Sequence, residues 1–571
     1  MNKIENRICQ NCKNNFIIEL DDFSFYKKIK VPPPTWCPDC RMIRRMIWRN
    51  EHVLYKAICG LCRRNMISMY DPDNKIVVYC DNCWWGDGWN PMNYGFFYDW
   101  KQPFFLQWLK LQRKVPLMQA WRFNNINSDF LSYGTDTKNC HLSSSVVSCE
   151  NVAYSYAVDK SQDIFDSSFI NKSNLCYENI DSQNNYNSIF LKNCNNCIDS
   201  GFLFDCINCQ NCFLSSNLRN KKYIFKNTEY SKPEYESKIS DIKTGNFSVL
   251  QKLLSEFSRI KGKKSIHKYI QIVNGVKCSG NDIQNSKNVL NSFNVYNSEN
   301  IKYGFRIANS KDCMDLVGTM DSELAYESVA PSFDGSDTQF SITNRTSHDI
   351  KYSFLCSGSS YLFGCIGLRH KQYCILNKQY TKEEYEELVP KIIKHMNDMP
   401  YIDSKGRIYK YGEFFPSELS PFCYNETIAQ EYFPLTKEGV FKQGYKWKEK
   451  EERNYQTDIK TEDIPNNIKE VDESIMNKVI ECEHQGKCNE QCTEAFKIIP
   501  AELQFYQRMN LPIPHLCPNC RHYQRLKQRN PLKLWHRECM KEGCENEFET
   551  SYTPDRPEII YCEKCYQQEV Y

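Results

Sequence analysis

The chain has 571 residues, 41% of them hydrophobic, too long for one ordinary core, so three to five compact units are expected. Its 73 basic and 70 acidic side chains leave a net charge of +3, which excludes a global field driving the protein onto nucleic acid or anionic lipid; any such contact must be local. The opening MNKIENRICQNC lacks the apolar stretch of a secretory signal and no run is long enough to cross a bilayer, so a soluble, cytoplasmic protein with no membrane partner is expected.

Residues 1–90 carry four CxxC pairs in order: Cys9 and Cys12, Cys37 and Cys40, Cys59 and Cys62, Cys80 and Cys83. A two-residue gap lets one tight turn present two sulfurs to the same ion, and two such knuckles close a tetrahedral zinc site. In a reducing compartment, paired cysteines at this spacing point to metal rather than disulfides. The segment is therefore expected to be a pair of zinc ribbons. Directly after the second knuckle, RMIRRMIWRN sets Arg41, Arg45 and Arg49 four residues apart, along one face of a helix. Such a basic helix fits a phosphate backbone; the alternatives are a solvated face or arginines paired with neighbouring acids.

Residues 91–125 are expected to form an aromatic linker and cap helix. Six of the ten tryptophans fall between Trp84 and Trp121, an area expected to cover the first coil of the repetitive segment that follows it or, alternatively, to stack bases.

An Asn- and Ser-rich motif then recurs with its apolar residue twelve positions apart at Cys140, Val152, Ile164 and Cys176, followed by Cys197 and Cys209. A second series runs Val289, Ile301, Cys313 and Ala325, followed by Ile350 and Leu362. Three residues before each stands a small side chain, such as Ser161 and Ser310. The two series close on Leu218–Tyr223 and Leu368–Tyr373, 150 positions apart. Two short parallel β-solenoids, 126–232 and 276–380, are expected, with the number of residues per coil left open. Cysteine occupies slots held elsewhere by Val, Ile or Ser, so it reads as a packing residue; metal binding by Cys194, Cys197, Cys206, Cys209 and Cys212 is the alternative. Asp163 and Asp166 match Asp312 and Asp315 in place. They read as solvated turn residues, or, if the solenoid were a carbohydrate-active enzyme, as acid and base. Segments 233–262 and 382–399 have helical spacing, giving a helical connector (233–275) and a cap helix (381–402), and 403–480 reads as an extended linker.

Residues 481–571 repeat the opening arithmetic. Cys492 to Cys517, Cys520 to Cys539 and Cys544 to Cys562 span 25, 19 and 18 positions, as do Cys12 to Cys37, Cys40 to Cys59 and Cys62 to Cys80. Phe16, Phe25, Tyr26, Pro32 and Pro34 recur 480 positions later, and so does the stripe, as Arg521, Arg525 and Arg529. The expected ligands are Cys488, Cys492, Cys517, Cys520, Cys539, Cys544, Cys562 and Cys565, with Cys482 and His484 as rivals for the place of Cys488. This makes four zinc ions per chain in two duplicated ribbon pairs.

The pattern of CxxC, Phe16, Phe25-Tyr26, a proline-rich turn and CPDCR, matched by CPNCR at Cys517–Arg521, resembles a small treble-clef type zinc-ribbon family. The whole chain resembles large cysteine-rich, multi-ribbon proteins of candidate-phylum bacteria and giant viruses. The resemblance implies the metal sites and the module order and no particular activity. No GxSxG or Walker-type lysine is present. The expected function is a non-catalytic zinc scaffold contacting RNA or a ribonucleoprotein through the six arginines; the alternatives are a protein-binding scaffold and a carbohydrate-active solenoid.

Overall fold

The structure, a computed structural model, describes residues 4–330, 333–450 and 456–571. The chain is mainly β and divides into two compact units. One comprises Met1–Trp121, Ile270–Glu449 and Leu532–Leu534; the other comprises Arg122–Tyr269, Lys450–Pro531 and Trp535–Tyr571. Each unit thus joins a terminal cysteine module to the repetitive segment more distant from it in sequence.

In the second unit, short parallel strands pair at an offset of twelve residues: Tyr156–Asp159 with Ser168–Asn171, and Gln162–Phe165 with Asn174–Tyr177. Every third residue between Tyr154 and Phe169 lies in the left-handed region, with φ between 47° and 58°, so each twelve-residue step turns four corners. That conformation penalises most L-residues and is best tolerated by Asn and Asp, which accounts for much of the segment's composition. Corner amides also bond from step to step: Asn127 donates to Asn139 at 3.3 Å, Asn139 to Asn151 at 3.2 Å and Asn151 to Asp163 at 2.8 Å.

The inward residues also recur every third position: Val152, Ser155, Val158, Ser161, Ile164 and Ser167 are all buried. A buried serine is tolerated here because both its hydrogen-bonding capacities are used. Ser167 Oγ donates to the Phe165 carbonyl at 2.9 Å and accepts the Asn179 N–H at 3.1 Å. Ser167→Ala strands that N–H in the interior and is expected to cost about 1–3 kcal/mol, read as a lowered midpoint in urea; Ser167→Cys, which keeps an acceptor, should cost less. Cysteines take the same slots. Ser161 N–H donates to Cys149 Sγ at 3.3 Å, and the Cys194 and Cys197 thiols reach the Leu203 and Cys206 carbonyls at 3.5 Å.

In the first unit the same twelve-residue register links Val289 with Ile301 and Ile301 with Cys313. Helices fall where the sequence places them, at Lys232–Ser240, Phe247–Lys263 and Lys382–Asp398. Tyr235 and Tyr385 pack edge-on or tilted against Tyr223 and Tyr373, each at 5.9 Å, at the last parallel strand of their segment.

Two expectations need correction. The aromatic segment after residue 91 covers the second repetitive segment, not the first: Phe104 lies 5.3 Å from both Tyr352 and Phe363, and Phe96 N–H donates to the Leu376 carbonyl. Nor is 403–480 an extended tether. Phe414, Phe415, Tyr424 and Ile428 are fully buried, and the Phe415 ring packs tilted against Trp108 at 4.4 Å. Ile464, Ile468, Val471 and Ile475 are buried in the other unit. The second group is spaced by four, three and four positions, yet it lies in short turns rather than one helix. Residues 451–455, which include the end of the WKEKEER run, lie outside the described residues.

Candidate metal centres and the arginine helices

Each cysteine group is built from a hairpin and a helix start. The hairpins Glu5–Ile8/Asn15–Ile18 and Tyr55–Ile58/Asn65–Ser68 carry Cys9, Cys12, Cys59 and Cys62 in their turns, closed by Lys13 and Arg63 at φ 64°. Cys37, Cys80, Cys517 and Cys562 are each the N-cap of a helix, where the positive end of the peptide dipoles favours a thiolate. Pro38 and Pro518 fit the first helical position because its N–H would have no partner there.

The sulfurs converge in four groups that could hold a metal ion: Cys9, Cys12, Cys37 and Cys40; Cys59, Cys62, Cys80 and Cys83; Cys482, Cys492, Cys517 and Cys520; and Cys539, Cys544, Cys562 and Cys565. Sulfur separations of 3.7 Å (Cys12 to Cys37), 3.8 Å (Cys62 to Cys80), 4.0 Å (Cys492 to Cys517) and 3.9 Å (Cys544 to Cys562) span the groups. Four bonds of about 2.3 Å at tetrahedral angles require edges of about 3.8 Å, so the donor sets fit a tetrathiolate ion. Proton affinities point the same way. Cys9 is held well below the ordinary thiol range, first by its hydrogen bond with Cys37, while Cys40 is pushed far above it, first by its own bond with Cys37. Thiolates this close repel one another unless a cation lies between them.

At the third group the structure seats Cys482 where Cys488 was expected. The N–H of Cys37 donates to Cys9 Sγ at 3.2 Å, and the N–H of Cys517 makes the same bond to Cys482 Sγ, also at 3.2 Å. Cys482 is therefore the counterpart of Cys9. Nine residues rather than two separate it from Cys492, and that lengthened loop obscured it in the sequence. Cys488 lies beside this group, in a second cluster with His484, Glu490 and Cys520.

The arginine stripes form the helices Pro38–Met46 and Pro518–Lys527 and the residues just after them. All six side chains are buried, between 0% and 8% exposed. In the first unit Arg41 and Arg45 grip the two oxygens of Asp315 at 2.9 and 3.0 Å, and Arg45 also reaches Glu327 at 3.0 Å. In the second unit Arg521 and Arg525 grip Asp166, Arg525 at 3.0 Å, and Arg525 reaches Glu178 at 2.9 Å. Arginines 480 positions apart thus meet carboxylates 149 positions apart in each unit. The surroundings follow the same offsets: Arg41 lies over Tyr303 and Arg521 over Tyr154, at 5.3 and 4.6 Å. Arg529 lies 3.5 Å from the Phe169 ring, while Arg49 sits against Gly318, where a Cβ would come within 2.9 Å of its guanidinium.

The expectation of a phosphate-facing stripe is corrected on this point: the bonds of Arg41, Arg45, Arg521 and Arg525 are spent inside the fold, and Arg49 and Arg529 pair with Glu51 and Asp181 at 2.5 and 2.8 Å. Asp166 and Asp315, expected as solvated turn residues, are fully buried, whereas Asp163 and Asp312 are ladder acceptors partnered by Arg508 and Lys28. Burial lifts Glu178 to about 7 and also raises Glu327 and Glu502. The sequence contained the signal in part, because both Asp pairs and both stripes are repeated. Neither protein-family models nor curated proteins give a match to this chain.

Proposed function

We propose that the protein is a non-catalytic scaffold in which two zinc-ribbon pairs, each stabilised by zinc in its four-cysteine groups, lock onto two four-sided parallel β-solenoids of twelve residues per coil. The observation that carries this reading is the paired burial of the arginine helices. Each ribbon helix docks on a solenoid through two arginines sharing one aspartate, and the contact recurs at matching offsets in both units. A duplicated module explains why both the ligand spacing and the docking residues repeat. Zinc supports small modules that lack much core of their own, and its thiolate chemistry suits them. Asp166 and Asp315, which an acid–base pair would have needed in an open cleft, are held by arginine, which favours a scaffold over a glycan-cleaving enzyme.

The partner on this reading is protein. RNA bound through the six arginines would require both ribbon helices to leave their solenoids, breaking buried ion pairs at each. Affinity purification of the full chain with and without nuclease tests this. Protein partners are expected to remain after digestion; loss of all bound protein on nuclease treatment would restore the ribonucleoprotein reading.

A further inference from the structure

The loop from Cys482 to Cys492 has seven residues more than its counterpart from Cys9 to Cys12. Within it stand His484, Cys488 and Glu490, and their ligand atoms, with Cys520 Sγ, all lie within 4.8 Å of one another. Cys520 is therefore common to two donor sets: its sulfur is 3.9 Å from Cys482 and 3.5 Å from Cys517 on one side, and 3.8 Å from Cys488 on the other. The equivalent sulfur in the N-terminal module, Cys40, instead accepts a hydrogen bond from the Asn11 amide at 3.2 Å. The loop replaces that single donor with three potential ligands.

Two of their polar atoms have no partner but each other. His484 Nδ1 and Glu490 Oε2 are buried and form an ion pair at 3.2 Å, with no hydrogen bond of good geometry to any other atom among the described residues. Glu490 is 6% exposed, and its other oxygen is taken by Lys527. A nitrogen and an oxygen at that separation fit the edge of a tetrahedron with bonds of about 2.0 Å to each, which is about 3.3 Å. The 3.8 Å from Cys488 to Cys520 fits a sulfur–sulfur edge of the same figure. A single ion cannot use both sets, because Cys482, Cys492 and Cys517 already complete four ligands with Cys520.

We propose that His484, Cys488, Glu490 and Cys520 hold a further divalent, thiophilic metal ion, zinc or one of its chemical kin, and that the Cys520 thiolate bridges it to the ion of the neighbouring four-cysteine group. The ion shares the Glu490 carboxylate with Lys527, neutralises a crowded thiolate, and pins the enlarged loop to the start of the arginine helix. A site with one imidazole and one carboxylate exchanges more readily than an all-thiolate one, so this ion should be the first of the five to leave.

The inference rests on the zinc reading above, and metal counting separates the two. Purified full chain, loaded with zinc and desalted, is expected to carry five ions by elemental analysis and native mass spectrometry. Cys488→Ala, His484→Ala and the shape-conserving Glu490→Gln should each carry four, with the hydrogen-exchange protection of the Pro518–Lys527 helix retained. Four ions in the wild-type chain, or five in all three variants, overturns the shared site while leaving the four all-cysteine sites intact. One ion or fewer in the wild-type chain overturns the zinc reading itself.

Discussion

Removing the metal with a strong chelator is expected to unfold both terminal cysteine modules while much of the twelve-residue parallel register survives. Each four-cysteine group joins a short hairpin to a helix start, and the helices capped at Cys37 and Cys517 are only nine residues (Pro38–Met46) and ten residues (Pro518–Lys527) long, well short of stability on their own. A structural zinc ion contributes on the order of 10–16 kcal/mol to such a module near neutral pH, more than its small core can replace. The parallel segments have their own buried ladders and do not need the ion to form. Hydrogen exchange followed by mass spectrometry should show the terminal modules losing protection first, and thiol labelling should report the sixteen cysteines of the four all-cysteine groups becoming reactive together, ahead of the inward cysteines of the ladders. Because thiolates must be deprotonated to bind, acidification should release the metal and alkaline pH should hold it. Protection that is unchanged after complete metal removal would show the modules to be self-supporting.

The second large effect is expected at the two aspartates. Asp315→Ala leaves Arg41 and Arg45 buried without their shared partner, and Asp166→Ala does the same to Arg521 and Arg525. Breaking a buried pair from one side costs about 3–5 kcal/mol, since the remaining charge stays out of water; Arg45 and Arg525 each keep a second carboxylate, Glu327 and Glu178, so these variants are expected within that range. The neighbouring substitutions Asp312→Asn and Asp163→Asn should cost under about 1 kcal/mol, because their arginine or lysine partners are more than half exposed. Replacing the buried set together, Asp315→Leu and Glu327→Gln with Arg41→Met and Arg45→Leu, which leaves Arg44 paired with Glu413, should recover much of the loss, since a neutral set of similar volume avoids the desolvation cost. Urea denaturation of the single and quadruple variants measures the difference. Equal effects at Asp312 and Asp315 would mean that the ion pairs do not hold the arginine helix.

How far the sequence reached differs from one element to the next, for physical reasons. Local chemistry was legible. A CxxC turn needs only its own four residues to aim two sulfurs, so fifteen of the sixteen cysteines in the all-cysteine groups were placed from spacing. The sixteenth, Cys482, was hidden because a loop can lengthen without moving its ends. The twelve-residue period was likewise legible, since neighbouring strands in parallel register must offer equivalent side chains, and the structure adds what the period left open, four left-handed corners per step.

What the sequence could not give was which surface meets which. The basic stripes were visible as stripes, but whether a guanidinium faces a phosphate or an aspartate 274 residues away, as for Arg41 and Asp315, depends on how the chain returns on itself. The same holds for Phe415 against Trp108 and for the aromatic segment on Tyr352 and Phe363. By itself the sequence determined the thiol sites and the repeating register, because both are set by short-range geometry. Only the tertiary structure decided that the arginines are internal, because burial is a property of the partner surface, and a local pattern of charge is the same whether water or a carboxylate lies in front of it.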